Sequence, residues 1–207
     1  MFSTAAYILI AILLSAVCAG ALIPIIIAFC RKYGYYDQPQ QRKVHHVAVP
    51  RLGGLAFMPS AAVSVVVTML LIYEQTQLIP DFTFSAIFMI LGAVVIYIIG
   101  LLDDILDLPA STKFLVLMSC AMLMPLCNLT ITNLHGLFGI EDISVWVGFP
   151  LTVLVIMTIV NALNLIDGID GLAAGIAIIC LTAYIMFFKE MSYILFMIIA
   201  AAMTGTV

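Results

Sequence analysis

Long runs of apolar residues recur along the chain, and they constrain its fold more than any other feature. A helix needs about 20 mostly apolar residues to cross a bilayer. Of the 207 residues, 65% are hydrophobic and 9% are charged, which is more apolar surface than a water-soluble domain of this size can bury. We predict an all-α fold, a polytopic transmembrane helical bundle in one membrane-embedded domain over residues 1–207. The spans are expected at roughly 5–29, 54–73, 84–102, 113–130, 146–163 and 172–188, with a seventh starting near Ser192.

The basic residues predict how these spans are oriented. Lys and Arg concentrate in cytoplasmic loops of membrane proteins. Five of them lie in the loop after the first span, Lys113 opens the fourth span on the same side, and only Lys189 lies on the other. We therefore expect the N-terminus outside and the basic loop in the cytoplasm. Trp146 is then expected at the outer interface, where Trp is enriched.

A first acidic cluster, D-D-I-L-D at 103–107, follows the third span at its cytoplasmic end. Adjacent carboxylates such as Asp103 and Asp104 repel each other unless a cation, a proton or a basic partner stabilises them. Acidic groups are also disfavoured at a helix C-terminus by the helix dipole. One interpretation is that the cluster holds Mg²⁺, a hard cation with oxygen ligands. The other is a solvated helix end that keeps the span from sliding inward.

A second polar cluster lies in N-A-L-N-L-I-D-G-I-D-G-L, 161–172, where Asn161, Asn164, Asp167 and Asp170 are spaced by three residues. On one continuous helix this set would spiral away from a single point. The glycines at 168 and 171 predict that the helix breaks there, which would let the amides and carboxylates converge. Capping of the next span by Asp170 is the simpler interpretation of that one residue.

Basic residues accompany both acidic clusters. Lys113 follows Asp104 by nine residues and either extends to the interface or offsets phosphate charge. The loop R-K-V-H-H-V-A-V-P-R-L-G-G at 42–54 either attracts lipid headgroups or binds a phosphate-bearing substrate. These features together predict a polar site at the cytoplasmic face that binds polyanions, with acidic groups suited to Mg²⁺ and basic groups suited to phosphate.

At these residues the chain resembles the polyprenyl-phosphate N-acetylhexosamine-1-phosphate transferases, most closely the bacterial undecaprenyl-phosphate branch. The matching segments are R-K-V-H-H-V-A-V-P-R-L-G-G, the acidic pair in G-L-L-D-D-I-L-D-L followed by Lys113, and N-A-L-N-L-I-D-G-I-D-G-L-A-A-G. The first acidic motif alone is weak, because soluble prenyl synthases use it too. The third segment is far more specific, and the order of all three agrees along nearly the whole chain.

The resemblance implies a glycosyl-1-phosphate transferase that needs Mg²⁺, with Mn²⁺ as a substitute. It would move an N-acetylhexosamine 1-phosphate, most often GlcNAc-1-phosphate, from a UDP-sugar to undecaprenyl phosphate and release UMP. This would be the first membrane step of a cell-envelope polysaccharide such as O-antigen or teichoic acid, in the bacterial inner membrane. No nucleic acid is implied as a partner, and a homodimer is compatible with the family.

The resemblance also implies roles for individual residues. Asp103 and Asp104 match the catalytic acidic pair, and Asn164 and Asp167 match metal ligands. The substrate-binding residues would be Lys43, His45, Arg51, Lys113, Asp167 and Asp170.

The chain departs from the family at its C-terminal end. Relatives carry about ten or eleven spans, against about seven here, with a further G-D motif and an H-x-H-like loop beyond the last residue of this chain. We therefore expect a C-terminal truncation and assign the function to the intact protein. An inactive lipid-phosphate-binding fragment is one alternative. An ion-coupled transporter is another, but it should place its carboxylates near the middle of the bilayer.

Overall fold

A computed structural model describes residues 3–37, 49–50, 52–77, 84–166 and 171–207. The helices within these ranges are α1 (Thr4–Tyr33), α2 (Phe57–Thr76), α3 (Phe84–Leu106), α4 (Ala110–Leu126), α5 (Val145–Ile166), α6 (Leu172–Glu190) and α7 (Ile194–Thr206). A short 3-10 helix (Gly53–Ala56) leads into α2. Two strands of two residues each, β1 (Tyr36–Asp37) and β2 (Val49–Pro50), pair antiparallel.

The helices confirm the prediction of an all-α, multi-pass membrane protein. Among the described residues, α1, α2 with its 3-10 turn, α3, α5 and α6 are long and apolar enough to cross a bilayer. α4 and α7 are apolar but shorter, with 17 and 13 residues. Large apolar side chains such as Leu13, Val66 and Ile179 are more than half exposed, as lipid-facing positions should be. Because a bilayer offers no hydrogen bonds to the backbone, helices are the expected way to cross it.

Contacts group the chain into two compact units, residues 1–81 with 169–207 and residues 82–168. In the first unit, α1, α2 and α7 pack through small residues. The Ser64 hydroxyl donates to the Ala11 carbonyl oxygen at 2.7 Å. A Cβ on Gly205 of α7 would collide with the Ile12 carbonyl oxygen and with the Ser15 hydroxyl. Small side chains let helix backbones approach closely, which is the usual basis of helix packing in membranes.

α1 and α2 form an antiparallel hairpin in this unit. The Tyr7 hydroxyl, near the start of α1, donates to Gln75 Oε1 near the end of α2 at 2.8 Å. At the opposite end, Leu52 and Ala56 pack against Ile26 and Cys30 in one buried cluster. The hairpin therefore places the end of α1, which carries Arg31 and Lys32, beside the chain that enters α2.

The second unit is built from α3, α4 and α5. The Ser85 hydroxyl at the start of α3 donates to the Cys127 carbonyl oxygen just after α4, at 2.9 Å, so these helices are antiparallel. The backbone N–H of Ile131 donates to Thr152 Oγ1 in α5 at 2.9 Å. α5 therefore starts beside the residues that follow α4 and returns along it. The C-terminal ends of α3 and α5 and the N-terminal end of α4 consequently lie at one end of this unit.

The other end of the unit is a structured loop over residues 127–144. Asn133 Nδ2 donates to Asp142 Oδ1 at 2.7 Å, and the two residues also form a backbone bridge. Phe138 lies at the tip with a positive φ of 55° and is 90% exposed. Trp146 follows at the start of α5, also 90% exposed, which is the position expected of an interfacial Trp.

Several helix ends differ from the sequence prediction by three or four residues, and those of α3 and α4 are two of them. α3 extends four residues past the predicted end at 102, to Leu106, so Asp103 and Asp104 lie inside its last turn. α4 ends at Leu126 instead of 130, and Asn128 takes a left-handed φ of 64° directly afterwards. Hydropathy continues through Leu129 and Ile131, so it could not indicate where this helix stops.

Candidate functional site

The connection between α3 and α4 carries most of the described polar residues that the sequence singled out. Leu108 precedes Pro109, and a residue before proline is disfavoured in helical conformation, so the helix must end before it. α3 ends at Leu106, and Asp107 takes a left-handed φ of 49°. α4 then begins at Ala110, directly after Pro109. The turn between the helices is therefore only residues 107–109.

Asp103 is held by contacts on both carboxylate oxygens. The backbone N–H of Leu108 donates to Asp103 Oδ1 at 3.0 Å. Lys113 Nζ lies 2.7 Å from Asp103 Oδ2. One contact comes from the turn and the other from α4, so the Asp103 carboxylate links α3, the turn and α4. Ionised groups make the stronger hydrogen bonds in proteins, and this geometry fixes Asp103 in one orientation.

Lys113 is the fourth residue of α4, and its side chain is 44% exposed, against 29% for Asp103. An ammonium group has three donors, and one of them faces Asp103. The remaining donors are available for a second acceptor on the exposed side. The pair is therefore an oriented cation at the surface of this end of the unit, rather than a buried structural ion pair.

The signs of these charges oppose the helix dipoles. Asp103 and Asp104 lie in the last turn of α3 and Lys113 in the first turn of α4. Each placement costs about 0.3–1 kcal/mol when exposed. A partly exposed ion pair contributes about 0–1 kcal/mol, which at most offsets about one of these three placements. Stability of the fold therefore does not account for this arrangement, and binding of a ligand is the better explanation.

Asp104 follows Asp103 on the same turn of α3 and is half-buried. Neighbouring helix positions point about 100° apart, so the two carboxylates leave the helix in different directions. Because Asp103 faces Leu108 and Lys113, Asp104 presents its oxygens to a different part of the surface.

Asn164 lies in the last turn of α5 and is exposed. Since α5 returns along α4, Asn164 lies at the same end of the unit as the α3–α4 connection. Its neighbour in the motif, Asn161, donates from Nδ2 to the Met157 carbonyl oxygen at 2.8 Å and so bonds within its own helix. Both side chains are exposed, and Asn161 differs in that its Nδ2 is engaged by its own helix.

The predicted helix break after α5 is supported by the start of α6. Gly171 is the residue before α6 and has a left-handed φ of 75°, so no regular helix continues through it. The N-cap of α6 is Gly171, and the alternative interpretation of Asp170 as a cap concerns a residue outside the described ones. Lys43, His45, Arg51, Asp167 and Asp170 lie outside the described residues, and their assignment to the site stays a prediction.

The described oxygen donors suit Mg²⁺ in kind. Among the residues that the structure describes, no three His, Cys, Asp or Glu side chains form a metal-binding group. Mg²⁺ does not require such a group, because it is usually bound through one or two carboxylates, several waters and substrate phosphates. Asp104 and Asn164 offer a carboxylate and an amide oxygen at the same end of one unit, and these are the hard ligands that this ion prefers.

Sequence reasoning did not find the role of the turn itself. The sequence places Asp103 and Lys113 beside a common ligand, but it gives the third carboxylate, Asp107, no role beyond the acidic motif. The signal was present in Leu108-Pro109, which forces the helix to end just before. The left-handed backbone at Asp107 and the N–H bond from Leu108 follow from that early end.

Comparison with known proteins gives matches over most of the chain. The model of glycosyl transferase family 4 matches residues 86–207. A protein of Bacillus subtilis (strain 168), a probable undecaprenyl-phosphate N-acetylglucosaminyl 1-phosphate transferase, is 36% identical over 173 residues, 83% of this chain and 46% of the relative. An undecaprenyl-phosphate alpha-N-acetylglucosaminyl 1-phosphate transferase of Thermotoga maritima is 34% identical over 101 residues, 49% of this chain and 28% of the relative. The chain thus spans less than half the length of either relative.

Proposed function

The chain belongs to glycosyl transferase family 4, and on that basis we propose that the protein transfers N-acetylglucosamine 1-phosphate from a UDP-sugar to undecaprenyl phosphate. The names of both relatives give undecaprenyl phosphate as the acceptor and an N-acetylglucosaminyl 1-phosphate group as what is transferred. The observation that carries the proposal is the ion pair of Lys113 and Asp103, an oriented cation beside a second carboxylate at the end of a membrane helix.

In this reaction an oxygen of the lipid phosphate forms a bond to the β-phosphorus of the UDP-sugar. The bond from that phosphorus to the oxygen bridging the two phosphates breaks, and UMP leaves with the electron pair. Both reactants are anionic, so catalysis depends on positioning and on neutralising charge. The protein must therefore supply cationic groups to phosphate oxygens at the membrane surface.

Lys113 is the residue we assign to this neutralisation. Asp103 holds its Nζ at 2.7 Å, so the ammonium is oriented before substrate binds. Such preorganised charge is the usual source of transition-state stabilisation. Asp103 then acts by ordering Lys113. A role as a base is not required, because the second pKa of a phosphate monoester is about 6 and the lipid phosphate is mostly dianionic at neutral pH.

Asp104 and Asn164 are the described residues we assign to the metal, together with Asp167 from the sequence prediction. Mg²⁺ held by these residues would offset negative charge on the phosphates and on departing UMP. The amide oxygen of Asn164 would help to fix the position of the nucleotide diphosphate. The carboxylate of Asp104 would supply a negatively charged ligand for the ion.

We further propose that this site faces the cytoplasm. UDP-sugars are soluble anions, and the side with six of the seven basic residues is the cytoplasmic one by the positive-inside rule. The same orientation would place the N-terminus and the loop over 127–144 outside.

Two rivals from the sequence make different demands. An ion-coupled transporter should carry ionisable groups near the middle of its helices. Asp103 and Lys113 lie instead in terminal turns and are partly exposed, which counts against that function. An inactive fragment that only binds lipid phosphate would keep the basic groups but would not turn over a UDP-sugar.

The test is exchange of labelled UMP into UDP-N-acetylglucosamine by membranes that contain the protein, Mg²⁺ and undecaprenyl phosphate. We expect exchange that stops when undecaprenyl phosphate is left out, because UMP re-enters the donor only through the lipid product. Asp104→Asn should remove it, whereas Lys189→Met, at the far end of α6, should not. No exchange with any UDP-N-acetylhexosamine would refute the transferase function. Binding of undecaprenyl phosphate without UMP exchange would favour the inactive-fragment alternative.

A further inference from the structure

Asp107 is the third carboxylate of D-D-I-L-D, and its backbone is unusual. Its φ is 49°, in the left-handed region that residues with a side chain seldom adopt. The residue directly follows the end of α3 and directly precedes Leu108-Pro109. Its side chain is exposed. Asn and Asp tolerate this conformation better than other side chains, and Gly adopts it without strain.

This conformation produces the geometry of the ion pair. The N–H of Asp107 closes the last regular turn of α3 by donating to the Asp103 carbonyl oxygen at 2.9 Å. The left-handed step then redirects the chain, so the next N–H, that of Leu108, meets Asp103 Oδ1 at 3.0 Å. α4 starts two residues later and brings Lys113 Nζ to 2.7 Å from the other oxygen, Oδ2. The orientation of the Asp103 carboxylate therefore depends on the backbone at Asp107.

We propose that Asp107 is a positioning residue, which acts through its left-handed backbone to hold Asp103 and Lys113 in register, and that its carboxylate is not a metal ligand. The inference deepens the proposed transferase function and rests on it for the effect on activity. In this protein the outer carboxylates of D-D-x-x-D would therefore have different roles, unlike in motifs where they share one metal ion. The two oxygens of Asp103 already face an N–H group and an ammonium, so Asp103 is not arranged to share a cation with the residue four positions on.

The proposal predicts how severe different substitutions of Asp107 should be, in an order that loss of the charge alone would not produce. Asp107→Gly removes the carboxylate but favours the conformation, and Asp107→Asn removes the charge and tolerates it. Asp107→Val carries a β-branched side chain that is a severe outlier at positive φ. Asp107→Ala is intermediate. If the backbone matters, Gly and Asn should behave like the natural residue and Val should not.

The first measurement does not depend on catalysis. The acylation rate of Lys113 by an amine-reactive reagent is followed by mass spectrometry in the full-length protein, with the exposed Lys32 and Lys189 as internal references. Pairing with Asp103 slows the reaction of Lys113, so Asp103→Asn defines the unpaired rate. We expect Gly and Asn at position 107 to keep the slow rate, Val to approach the rate of Asp103→Asn, and Ala to fall between.

The second measurement is UMP exchange over a range of Mg²⁺ concentrations. Gly and Asn should keep activity within about threefold of the natural protein with the same Mg²⁺ midpoint, while Val should lose about tenfold or more, as forcing a poorly tolerated backbone implies. Loss of exchange in Gly and Asn with Lys113 still slow to react, or a raised Mg²⁺ midpoint in either, would mean that the carboxylate itself is needed and would overturn the proposal.

The two measurements also separate this proposal from the function on which it rests. If no variant and not even the natural protein exchanges UMP, but the reactivity of Lys113 follows the predicted order, the transferase function fails and the positioning role stands. If Val prevents folding, the milder Ala variant, checked by thermal unfolding, supplies the same comparison. Equal Lys113 reactivity in all the folded variants would overturn the positioning role.

Discussion

Lys113 Nζ and Asp103 Oδ2 lie 2.7 Å apart across the turn that joins α3 to α4. The two residues come from different helices, and each has the charge that its own helix end disfavours. Their pairing at one end of a membrane unit, beside Asp104, makes this turn the most specific chemical feature of the described chain. Because the pair contributes little to stability, its more plausible role is to orient the Lys113 ammonium for an anionic ligand.

Replacing either partner of this pair should reduce activity far more than stability. We expect Lys113→Met and Asp103→Asn each to lower UMP exchange by about tenfold or more, because loss of one preorganised charge costs at least about 1.4 kcal/mol in the transition state. The unfolding temperature in detergent should fall by no more than about 4 °C, since a partly exposed pair contributes about 0–1 kcal/mol.

The double variant decides how Asp103 acts. If Asp103 works only by orienting Lys113, then Lys113→Met with Asp103→Asn should be no less active than Lys113→Met alone. Losses that multiply would show an independent role for Asp103, such as that of a base. Lys189→Met serves as the matched control. It removes a lysine from the last turn of α6, which is not part of the assigned site, and it should leave exchange unchanged.

The two asparagines of the N-A-L-N motif should differ in their effect on the metal requirement. Asn161 bonds to the Met157 carbonyl oxygen in its own helix, while Asn164 lies one turn nearer the end of α5. Asn164→Ala should raise the Mg²⁺ concentration needed for half-maximal exchange, because it removes an oxygen that we propose as a ligand. Asn161→Ala should leave that midpoint unchanged. Equal midpoints in the two variants would remove Asn164 from the metal site.

Much of the fold could be predicted from the sequence because one physical rule dominates in a bilayer. Apolar runs must form helices that satisfy their own backbone, so each helix lies where its run predicted. The rule gives positions but not ends. Hydropathy placed the end of the third span before Asp103, yet the helix continues to Leu106. Left-handed residues such as Asp107 and Asn128 set the ends, and they leave no trace in hydropathy.

The sequence predicted which residues form the site better than it predicted the contacts between them. The sequence named Asp103 and Lys113 as neighbours of a common ligand, but it left open whether Lys113 only reaches the interface. A contact across a turn depends on where both helices stop, and those ends are the least predictable part of a helix. The N–H bond from Leu108 to Asp103 is a consequence of the same turn.

The two ends of the α3–α5 unit should be accessible from opposite sides of the membrane. Ser111 lies next to the α3–α4 connection, and Phe138 lies at the tip of the loop at the other end, and both are exposed. A membrane-impermeant thiol reagent added outside intact cells should label Phe138→Cys and spare Ser111→Cys, with the reverse in inverted vesicles. Labelling of both from the same side would contradict a spanning unit and with it the proposed cytoplasmic position of the site.

Gly148 should be among the least replaceable residues of the second unit. A Cβ at this position would collide with the Ile131 carbonyl oxygen and press on Thr130, and backbone cannot move aside as a flexible side chain can. Gly148→Ala should therefore destabilise the protein by about 1–3 kcal/mol, the usual cost of overpacking. Gly175 in α6 has nothing within 4 Å of an added Cβ, so Gly175→Ala should be neutral or stabilise by up to about 1 kcal/mol. Thermal unfolding in detergent measures both. A Gly148→Ala variant as stable as the natural protein would mean that α5 does not pack against the residues after α4, and Asn164 would then lose its place beside the α3–α4 connection.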